Sequence, residues 1–164
     1  MKAKKVAGAS SLSPHLDARG EARMVDVASK EITARQATAR ATVTMTPATY
    51  ERLSRGDTPK GDVLATARIA AISAAKRTSE LIPLCHLIAL TKVQVDVRIE
   101  DGGVTIDATA SATDRTGVEM EALVAASTGA LVIYDMLKAI DRGMAFQVHL
   151  LEKRGGKTGT WKRK

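Results

Sequence analysis

Five short groups of acidic, basic and nucleophilic residues stand at the ends of apolar segments in this 164-residue chain. They are Lys60, Cys85-His86, Glu119-x-Glu121, Asp135-x-x-Lys138 and Lys153-x-x-x-Lys157. Because buried segments fix where their ends lie, polar groups at these positions can be aimed at one ligand. Acids, bases and cations are the groups that proton transfer and charge stabilisation require. The pattern therefore predicts a catalytic pocket for an anionic substrate.

The charge balance also indicates an anionic partner. Lysine and arginine number 25 against 18 aspartate and glutamate, which gives a formal net charge of +7 at pH 7. Such an excess favours nucleic acid, nucleotide, phosphate or a membrane surface as partner. Aromatic residues make up only 2% of the chain, although stacking rings are the usual platform for single-stranded nucleic acid. A small phosphorylated ligand fits the composition better than nucleic acid does.

The composition is that of a folded protein outside the membrane. Hydrophobic residues make up 45% of the chain, and no run approaches the ~20 apolar residues of a membrane span. Residues 1–14 have neither periodicity nor a continuous apolar region, which predicts a disordered tail rather than a secretory signal. The single cysteine, Cys85, excludes an intrachain disulfide and suits a reducing compartment. We expect a cytoplasmic protein with one domain at residues 15–164.

The spacing of apolar residues predicts the elements that position these groups. Alternation with a period of two predicts strands at 37–45, 89–99, 104–112 and 144–150, with a hairpin turn at Asp101-Gly102-Gly103. Helices are predicted at 47–55, at 63–77 behind an Asp62 cap and buried nearly all round, and at 117–140. The order of the main elements predicts an α+β, ferredoxin-like βαββαβ fold, with an antiparallel sheet and helices on one face.

The two glutamates near the start of the long helix are predicted to differ in role. Thr116-x-x-Glu119 has the spacing of a capping box, in which the glutamate bonds back to the cap residue. Glu119 therefore has a structural explanation that competes with a functional one. Glu121 points elsewhere and has no such explanation, so it is the preferred candidate for a functional carboxylate.

Asp135 and Lys138 lie near the other end of the same helix and share a face at i and i+3. A surface ion pair is one interpretation. The surrounding apolar residues instead predict partial burial, in which an aspartate–lysine pair can hold protonation states suited to proton transfer. Glu121 and Asp135 are 14 positions apart, about 21 Å at ~1.5 Å per helical residue. Either they contact different parts of a long ligand or a neighbouring subunit completes the site, and we prefer the second interpretation.

The remaining candidates each have a structural alternative. His86 can act as an acid, a base or a phosphate ligand near neutral pH, whereas Cys85 fits better as a small packed residue than as a nucleophile or metal ligand. The absence of a Cys-x-x-Cys or histidine cluster argues against zinc. Lys60 stands near a helix amino end, whose dipole eases deprotonation, or is a solvated loop residue. Residues 153–159 lack the pattern of a P-loop and form either a phosphate cradle or a cationic tail.

Several short motifs between His15 and Trp161 form a highly specific combination. They are Met24-Val25-Asp26-Val27, Lys60-Gly61-Asp62-Val63, Ala65-Thr66-Ala67-Arg68-Ile69-Ala70, Ala75-Lys76-Arg77-Thr78, Ile82-Pro83-Leu84-Cys85-His86, Thr116-Gly117-Val118-Glu119-Met120-Glu121-Ala122-Leu123, Tyr134-Asp135-Met136 and Gly155-Gly156-Lys157. Together they resemble the motifs of the cyclic pyranopterin monophosphate synthases, the MoaC family of molybdenum cofactor biosynthesis.

The resemblance implies a ferredoxin-like lyase that converts 3′,8-cyclo-7,8-dihydroguanosine 5′-triphosphate to cyclic pyranopterin monophosphate and releases pyrophosphate. It also implies a homohexamer with its sites between subunits. By motif, Asp135 is implied as the principal catalytic residue, with Lys60 and Lys138 as acid–base partners. Substrate contacts are implied for Leu84, Cys85, His86, Met120, Glu121 and, toward the triphosphate, Lys153. Acids, bases and cations suffice for this chemistry, so no cofactor and no metal are expected.

Two positions depart from the family pattern, and two other classes of protein fit part of the sequence. Leu87 follows His86 at a position where the family often has proline or a polar residue. Arg154 stands where a small hydroxylic residue is usual, and this departure puts the triphosphate contact implied for the adjacent Lys153 in question. A nucleic-acid-binding module would use the same sheet and basic charge, but it carries aromatics on its central strands. A structural oligomer without activity would leave the clustered polar residues unexplained.

Overall fold

The computed structural model describes residues 15–17, 19–100 and 102–164, so the tail expected at 1–14 lies outside the described residues. The strands are β1 (Thr33–Thr44), β2 (Leu90–Glu100), β3 (Gly103–Asp114), β4 (Ala145–Arg154) and β5 (Trp161–Lys162). The helices are α1 (Pro47–Ser54), α2 (Val63–Ala75), α3 (Thr78–Leu81) and α4 (Glu119–Leu137). The described residues between 15 and 32 precede β1 and are called the arm.

The strands form one antiparallel sheet in the order β2-β3-β1-β4-β5. The first four strands have the ferredoxin-like order, so the predicted fold class is confirmed. The short edge strand β5 was not predicted. The hairpin between β2 and β3 is confirmed as well, since Glu100 pairs with Gly103 and Gly102 has a φ of +81°. A Cβ atom at Gly103 would overlap the Val43 carbonyl oxygen, which explains the second glycine.

Small side chains let α4 lie close to the sheet. Alternate residues of β1 and β3 are apolar and buried, and most of them are alanine: Ala37, Ala39, Ala41, Val43, Val104, Ile106, Ala108, Ala110 and Ala112. On α4, Gly129 faces Ile106 so closely that a Cβ there would lie 3.0 Å from its Cδ1 atom. By length and composition α4 could cross a membrane, but 56% of that stretch is buried inside the fold. It is therefore the core helix, and it carries candidate residues at both ends.

The predicted burial of α2 on nearly all sides is wrong. Asp62 caps the helix as predicted, since its Oδ1 accepts from the Ala65 amide at 2.9 Å. However, only one face, which includes Ala67 and Ala71, is buried, and Ile69 on another face is 63% exposed. The sheet and α4 cover one side of α2.

Two further predictions are wrong, one on the core face of β2 and one on the capping box. In β2 the register shifts between Leu90 and Lys92, so Thr91 is an extra residue and neither it nor Ala89 lies on the core face. The capping box at the start of the long helix does not form. The helix begins with Glu119 itself, after the buried Val118, which makes no side-chain cap. Glu119 is thus the first helical residue, two positions before the third one, from which a glutamate bonds back to the cap residue.

Candidate active site

A cavity of about 440 Å³ lies at the amino end of α4 and is called the amino-end cavity. Its walls come from the arm, from the segment between α3 and β2, and from the residues around the start of α4. Five of the predicted substrate contacts line it together: Leu84, Cys85, His86, Met120 and Glu121. These residues come from two segments more than thirty positions apart in the sequence, so the fold assembles the cavity.

Glu121 is the buried acid of this cavity. The residue is only 3% exposed, and its Oε2 atom has no hydrogen-bond partner among the described residues. Burial raises the pKa of the Glu121 carboxyl, and the neighbouring carboxylates of Glu119 and Asp114 raise it further. The amino-end cavity therefore contains a carboxyl group whose charged form is disfavoured by burial.

Cys85 and His86 line the amino-end cavity from the segment between α3 and β2. The turn after Pro83 is closed by the Cys85 amide, which donates to the Ile82 carbonyl at 3.0 Å. Burial raises the pKa of the Cys85 thiol, so the nucleophilic thiolate form is disfavoured. His86 Nε2 lies 2.8 Å from the Val25 carbonyl oxygen. A carbonyl can only accept, so Nε2 carries the hydrogen, and His86 ties the arm to this wall.

A second cleft of about 630 Å³ adjoins the amino-end cavity and shares Lys30, Thr116 and Gly117 with it. We call it the cationic cleft because four basic residues line it: Lys30, Arg35, Arg115 and Lys157. One acidic residue, Glu31, also lines it. The excess of positive charge next to the first cavity makes this the natural place for phosphates on a ligand that spans both.

The glycine pair beside the cationic cleft allows Arg35 to lie against the backbone. Gly155 and Gly156 have φ values of +90° and +71°, and a Cβ at Gly156 would overlap the Arg35 guanidinium. Arg35 in turn donates through Nε and Nη2 to the carbonyl oxygens of Asp114 and Arg115, both at 3.3 Å. The Nε atom of Arg115 is buried without a hydrogen-bond partner among the described residues. An anion in the cleft would supply one.

Lys153 does not line either cavity. Its ammonium group contacts the Thr158 hydroxyl, and Thr158 lies on the wall of the cationic cleft. The two departures from the family pattern lie outside both cavities: Leu87 is exposed, and Arg154 pairs with Glu152 at 2.8 Å. Sequence reasoning missed Lys30, Arg35 and Arg115. Their only signal was a position close to the matching motifs, and nothing in their spacing indicated that they would meet.

The three predicted catalytic residues meet at the carboxyl end of α4 and are called the Lys–Asp–Lys cluster. Lys60 Nζ and Lys138 Nζ each lie 2.7 Å from a different carboxylate oxygen of Asp135. Lys60 also donates to the Asp135 carbonyl oxygen at 3.0 Å. Lys138 first, and then Lys60, lower the pKa of Asp135 to about 2 through these hydrogen bonds. The carboxyl is therefore ionised at neutral pH.

The predicted partial burial of this pair is wrong for a single chain. The Asp135 side chain is 53% exposed, and Lys138 is equally open. The apolar residues that prompted the prediction, Ile133 and Met136, point to the buried side of α4. Neither cavity described above includes Asp135. The Lys–Asp–Lys cluster lies about 21 Å along α4 from Glu121 at ~1.5 Å per residue.

Comparison with known proteins decides the family. The MoaC family model matches residues 24–156. The chain belongs to the MoaC family. A cyclic pyranopterin monophosphate synthase from Thermomicrobium roseum is 57% identical over 152 residues, which cover 91% of this chain and 92% of that protein. Proteins of the same name from Novosphingobium aromaticivorans and Chloroflexus aggregans are 56% identical over 149 residues and 55% identical over 152 residues. The match with the Novosphingobium aromaticivorans protein covers 90% of this chain and 95% of that protein. The match with the Chloroflexus aggregans protein covers 91% of this chain and 92% of that protein.

The stretch that matches the MoaC family contains both ends of the candidate site. The Lys–Asp–Lys cluster, the five predicted contacts of the amino-end cavity and Arg115 all lie within residues 24–156. Lys157 follows the matched stretch directly. No group of three or more His, Cys, Asp or Glu side chains that could hold a metal ion occurs in the part of the chain that the structure describes.

Proposed function

We propose that this chain is a cyclic pyranopterin monophosphate synthase. It is a lyase of molybdenum cofactor biosynthesis that converts 3′,8-cyclo-7,8-dihydroguanosine 5′-triphosphate to cyclic pyranopterin monophosphate and releases pyrophosphate. The observation that carries the proposal is the identity of 55% to 57% with three proteins of that name over at least 90% of the chain. Membership of the MoaC family and the two-part site support it.

The substrate is divided between the two adjoining cavities. Its purine-derived ring enters the amino-end cavity, where Leu84, Met120 and Glu121 supply the walls. Its triphosphate lies in the cationic cleft, where Arg115 and Lys157 face it. Cations at this position stabilise the charge that develops on the leaving pyrophosphate. Lys153 contributes through its contact with Thr158, which fixes the loop that carries Lys157.

The Lys–Asp–Lys cluster supplies the proton-transfer groups. Closing the cyclic phosphate requires one group to take the proton of the attacking hydroxyl, while another donates a proton to the purine-derived ring. A carboxyl whose pKa is about 2 is a weak proton acceptor and a strong anchor for cations. We therefore assign proton transfer to Lys60 and Lys138: one, as the uncharged amine, accepts the hydroxyl proton, and the other, as the ammonium, donates to the ring. Asp135 aligns both lysine side chains.

The cluster reaches the substrate from a neighbouring subunit. Within one chain it lies about 21 Å from Glu121 at ~1.5 Å per helical residue, and its side chains are about half exposed. Exposed apolar residues, among them Ile69, Leu87 and Leu131, offer surface that a second copy would cover. The assembly is a homohexamer, as the family resemblance implies.

The proposal also specifies the domain and the compartment. Residues 15–164 form one domain, because a single sheet and the helices on it account for the described elements. The protein works in the cytoplasm, where its single cysteine would remain reduced. Its small-molecule partner is the nucleotide-derived triphosphate, with neither nucleic acid nor membrane as a partner. No cofactor is assigned.

The alternative of a nucleic-acid-binding sheet gains no support from the open face of the sheet. Its central positions carry Thr38, Arg40, Asp107 and Thr109 rather than stacking rings. The cations there are already paired, since Arg40 and Arg98 both bond Asp107, at 2.7 Å for the shortest contact of each. The free cationic surface lies instead in the cationic cleft.

One assay tests the proposed function directly. The purified full chain is incubated with the cyclised nucleotide triphosphate, and pterin product and pyrophosphate are quantified together. We expect the two products in equal amounts. Absence of pterin from folded wild-type protein, while one of the curated relatives forms it under the same conditions, would overturn the proposal.

A further inference from the structure

Two acidic side chains are buried in the described part of the chain, and they differ in how their oxygens are satisfied. Asp141 accepts from the amides of Thr46 and Gly143 at 2.9 and 2.8 Å and contacts the Thr49 hydroxyl at 3.3 Å. Glu121 is equally buried, yet its Oε2 has no hydrogen-bond partner among the described residues. Of these two acids, Glu121 lines the amino-end cavity, and Asp141 lines neither that cavity nor the cationic cleft. The free oxygen of Glu121 is thus available to a ligand.

The backbone amide of Glu121 favours a negative charge on its carboxylate, but the neighbouring side chains do not compensate that charge. Its own helix contributes another carboxylate, Glu119, and β3 contributes Asp114. The other titratable residues of the cavity come from the opposite wall and the arm: His15, Lys30, Cys85 and His86. Lys30 is the one Lys or Arg in this lining, and no ion pair joins it to Glu121 among the described contacts. An ionised carboxylate buried without a partner is unfavourable, whereas a carboxylic acid avoids the cost.

We propose that Glu121 is an uncharged carboxylic acid at neutral pH and that it donates a hydrogen bond to the ring bound in the amino-end cavity. The acceptor is a carbonyl oxygen or an unprotonated ring nitrogen. The assignment of a ring to this cavity rests on the proposed function, whereas the protonation state of Glu121 does not. The burial and the like charges that raise the pKa of this carboxyl support the same conclusion.

The inference makes Glu121 a residue that selects the ligand. A neutral acid can donate one hydrogen bond, but its ionised form only accepts. Loss of the proton would place two acceptors against each other, and a buried acceptor without a donor is costly. Because a raised pKa means that the charged form appears only at higher pH, binding should weaken as pH rises through the pKa of Glu121. Below that pH, binding should not depend on this group.

Two substitutions of Glu121 distinguish a neutral hydrogen-bond donor at this position from a negatively charged group. Glu121→Gln keeps a donor of nearly the same shape without an ionisable proton, whereas Glu121→Ala removes the donor. We expect the KM of E121A to rise by about 30-fold and that of E121Q to stay at least about tenfold below it, as the loss of a buried hydrogen bond predicts. The KM of wild type should rise toward alkaline pH, and that of E121Q should not. The exposed Glu80→Gln serves as the control for a glutamate outside the cavity.

Carbon-13 NMR of the glutamate side-chain carboxyls measures the protonation state without turnover. The Glu121 signal, assigned by its absence in E121Q, should remain that of a carboxylic acid at neutral pH. A titration midpoint of this carboxyl below about pH 7, toward the ordinary glutamate value, would overturn the inference, as would an E121Q variant as defective in KM as E121A. If the wild-type chain failed to turn over the cyclised nucleotide, the NMR titration would still decide the protonation state. Failure of the proposed function is thereby distinguished from failure of this inference.

Discussion

The ammonium nitrogen of Lys60 lies 2.7 Å from Oδ2 of Asp135, although 75 positions of sequence separate the two residues. Lys60 stands in the loop before α2, and Asp135 in the last turn of α4, so the packing of these two helices sets the distance. The second contact of Lys60, with the Asp135 carbonyl at 3.0 Å, places a cation at a helix carboxyl end, where the dipole favours it. Lys138, three residues after Asp135, contacts the other carboxylate oxygen of Asp135 at 2.7 Å.

Replacing Asp135 with asparagine should remove catalysis and leave the fold intact. The substitution keeps the shape but removes the charge that aligns both lysines. We expect kcat for pyrophosphate release to fall by about 100-fold or more, as when one preorganised electrostatic group is lost. The melting midpoint should stay within about 3 °C of wild type, because the side chain is largely open to solvent. Asp96→Asn, on the outer face of the sheet, is the control. Near-normal turnover of D135N would exclude an essential role.

The pH dependence of Asp135 follows from its lowered pKa of about 2. The folded value lies below the unfolded value near 4, so the ion pairs stabilise the folded state fully above about pH 4. That contribution is lost as pH falls toward 2. Asp135 should therefore cause no inflection of kcat between about pH 5 and 8. NMR titration of its carboxyl carbon checks this. A midpoint near 4 would mean that the ion pairs are not maintained in solution.

The cationic cleft should govern affinity for the triphosphate. Arg115→Ala and Lys157→Ala each remove a charge that faces the cleft, and we expect each to raise KM about tenfold, the size of a charge-assisted hydrogen bond. Inhibition by tripolyphosphate should weaken in parallel. Lys162→Ala is a matched control, because Lys162 pairs with Glu152 at 3.5 Å and does not line the cleft. Equal effects of all three substitutions would indicate general electrostatic attraction rather than a site.

His86 should hold the arm against the wall of the amino-end cavity. Its Nε2 donates to the Val25 carbonyl, so His86→Ala should free this part of the arm and speed amide exchange around residues 23–27. Trypsin should also cut more quickly after Arg23. His86→Gln keeps a donor at a similar reach and should protect the arm more than alanine does. His149→Ala, on the open sheet face, is the control. Unchanged exchange in H86A would show that the bond does not hold the arm.

The elements of the fold were predictable because their signals are local. Alternation of apolar residues defined the strands, and Asp62 marked the start of α2. What failed depends on tertiary context. The capping box at Thr116 is overridden by the burial of Val118, and the bulge at Thr91 reverses the strand faces in a way that spacing alone does not reveal. In each case, long-range packing outweighs a local preference.

The residues of the candidate site that lie within recognisable sequence motifs could be predicted from the sequence. Cys85 and Glu121 were singled out on sequence alone, and the fold brings both into one cavity. Arg35 and Arg115 were missed because the pairing of β1 with β3 brings them together, with Arg35 opposite Ala112 near the end of β3. The exposure of Asp135 could not be foreseen either. It depends on which face of α4 meets the sheet and on whether another subunit covers the remainder.

Mixing two strongly impaired variants, and assaying them at a substrate concentration well below the wild-type KM, tests whether the site is shared between subunits. Glu121→Ala disables one end of α4 and Asp135→Asn the other. If each site combines the two ends from different chains, a mixed pair contains one site with both defects and one with neither. Random mixing in equal amounts should then restore roughly a quarter of wild-type activity, given symmetric pairing of subunits. Mixtures of Lys60→Ala with Asp135→Asn should stay inactive, because both substitutions lie in the same cluster. Native mass spectrometry confirms subunit exchange, and verified mixed oligomers without activity would show that the two ends do not meet across subunits.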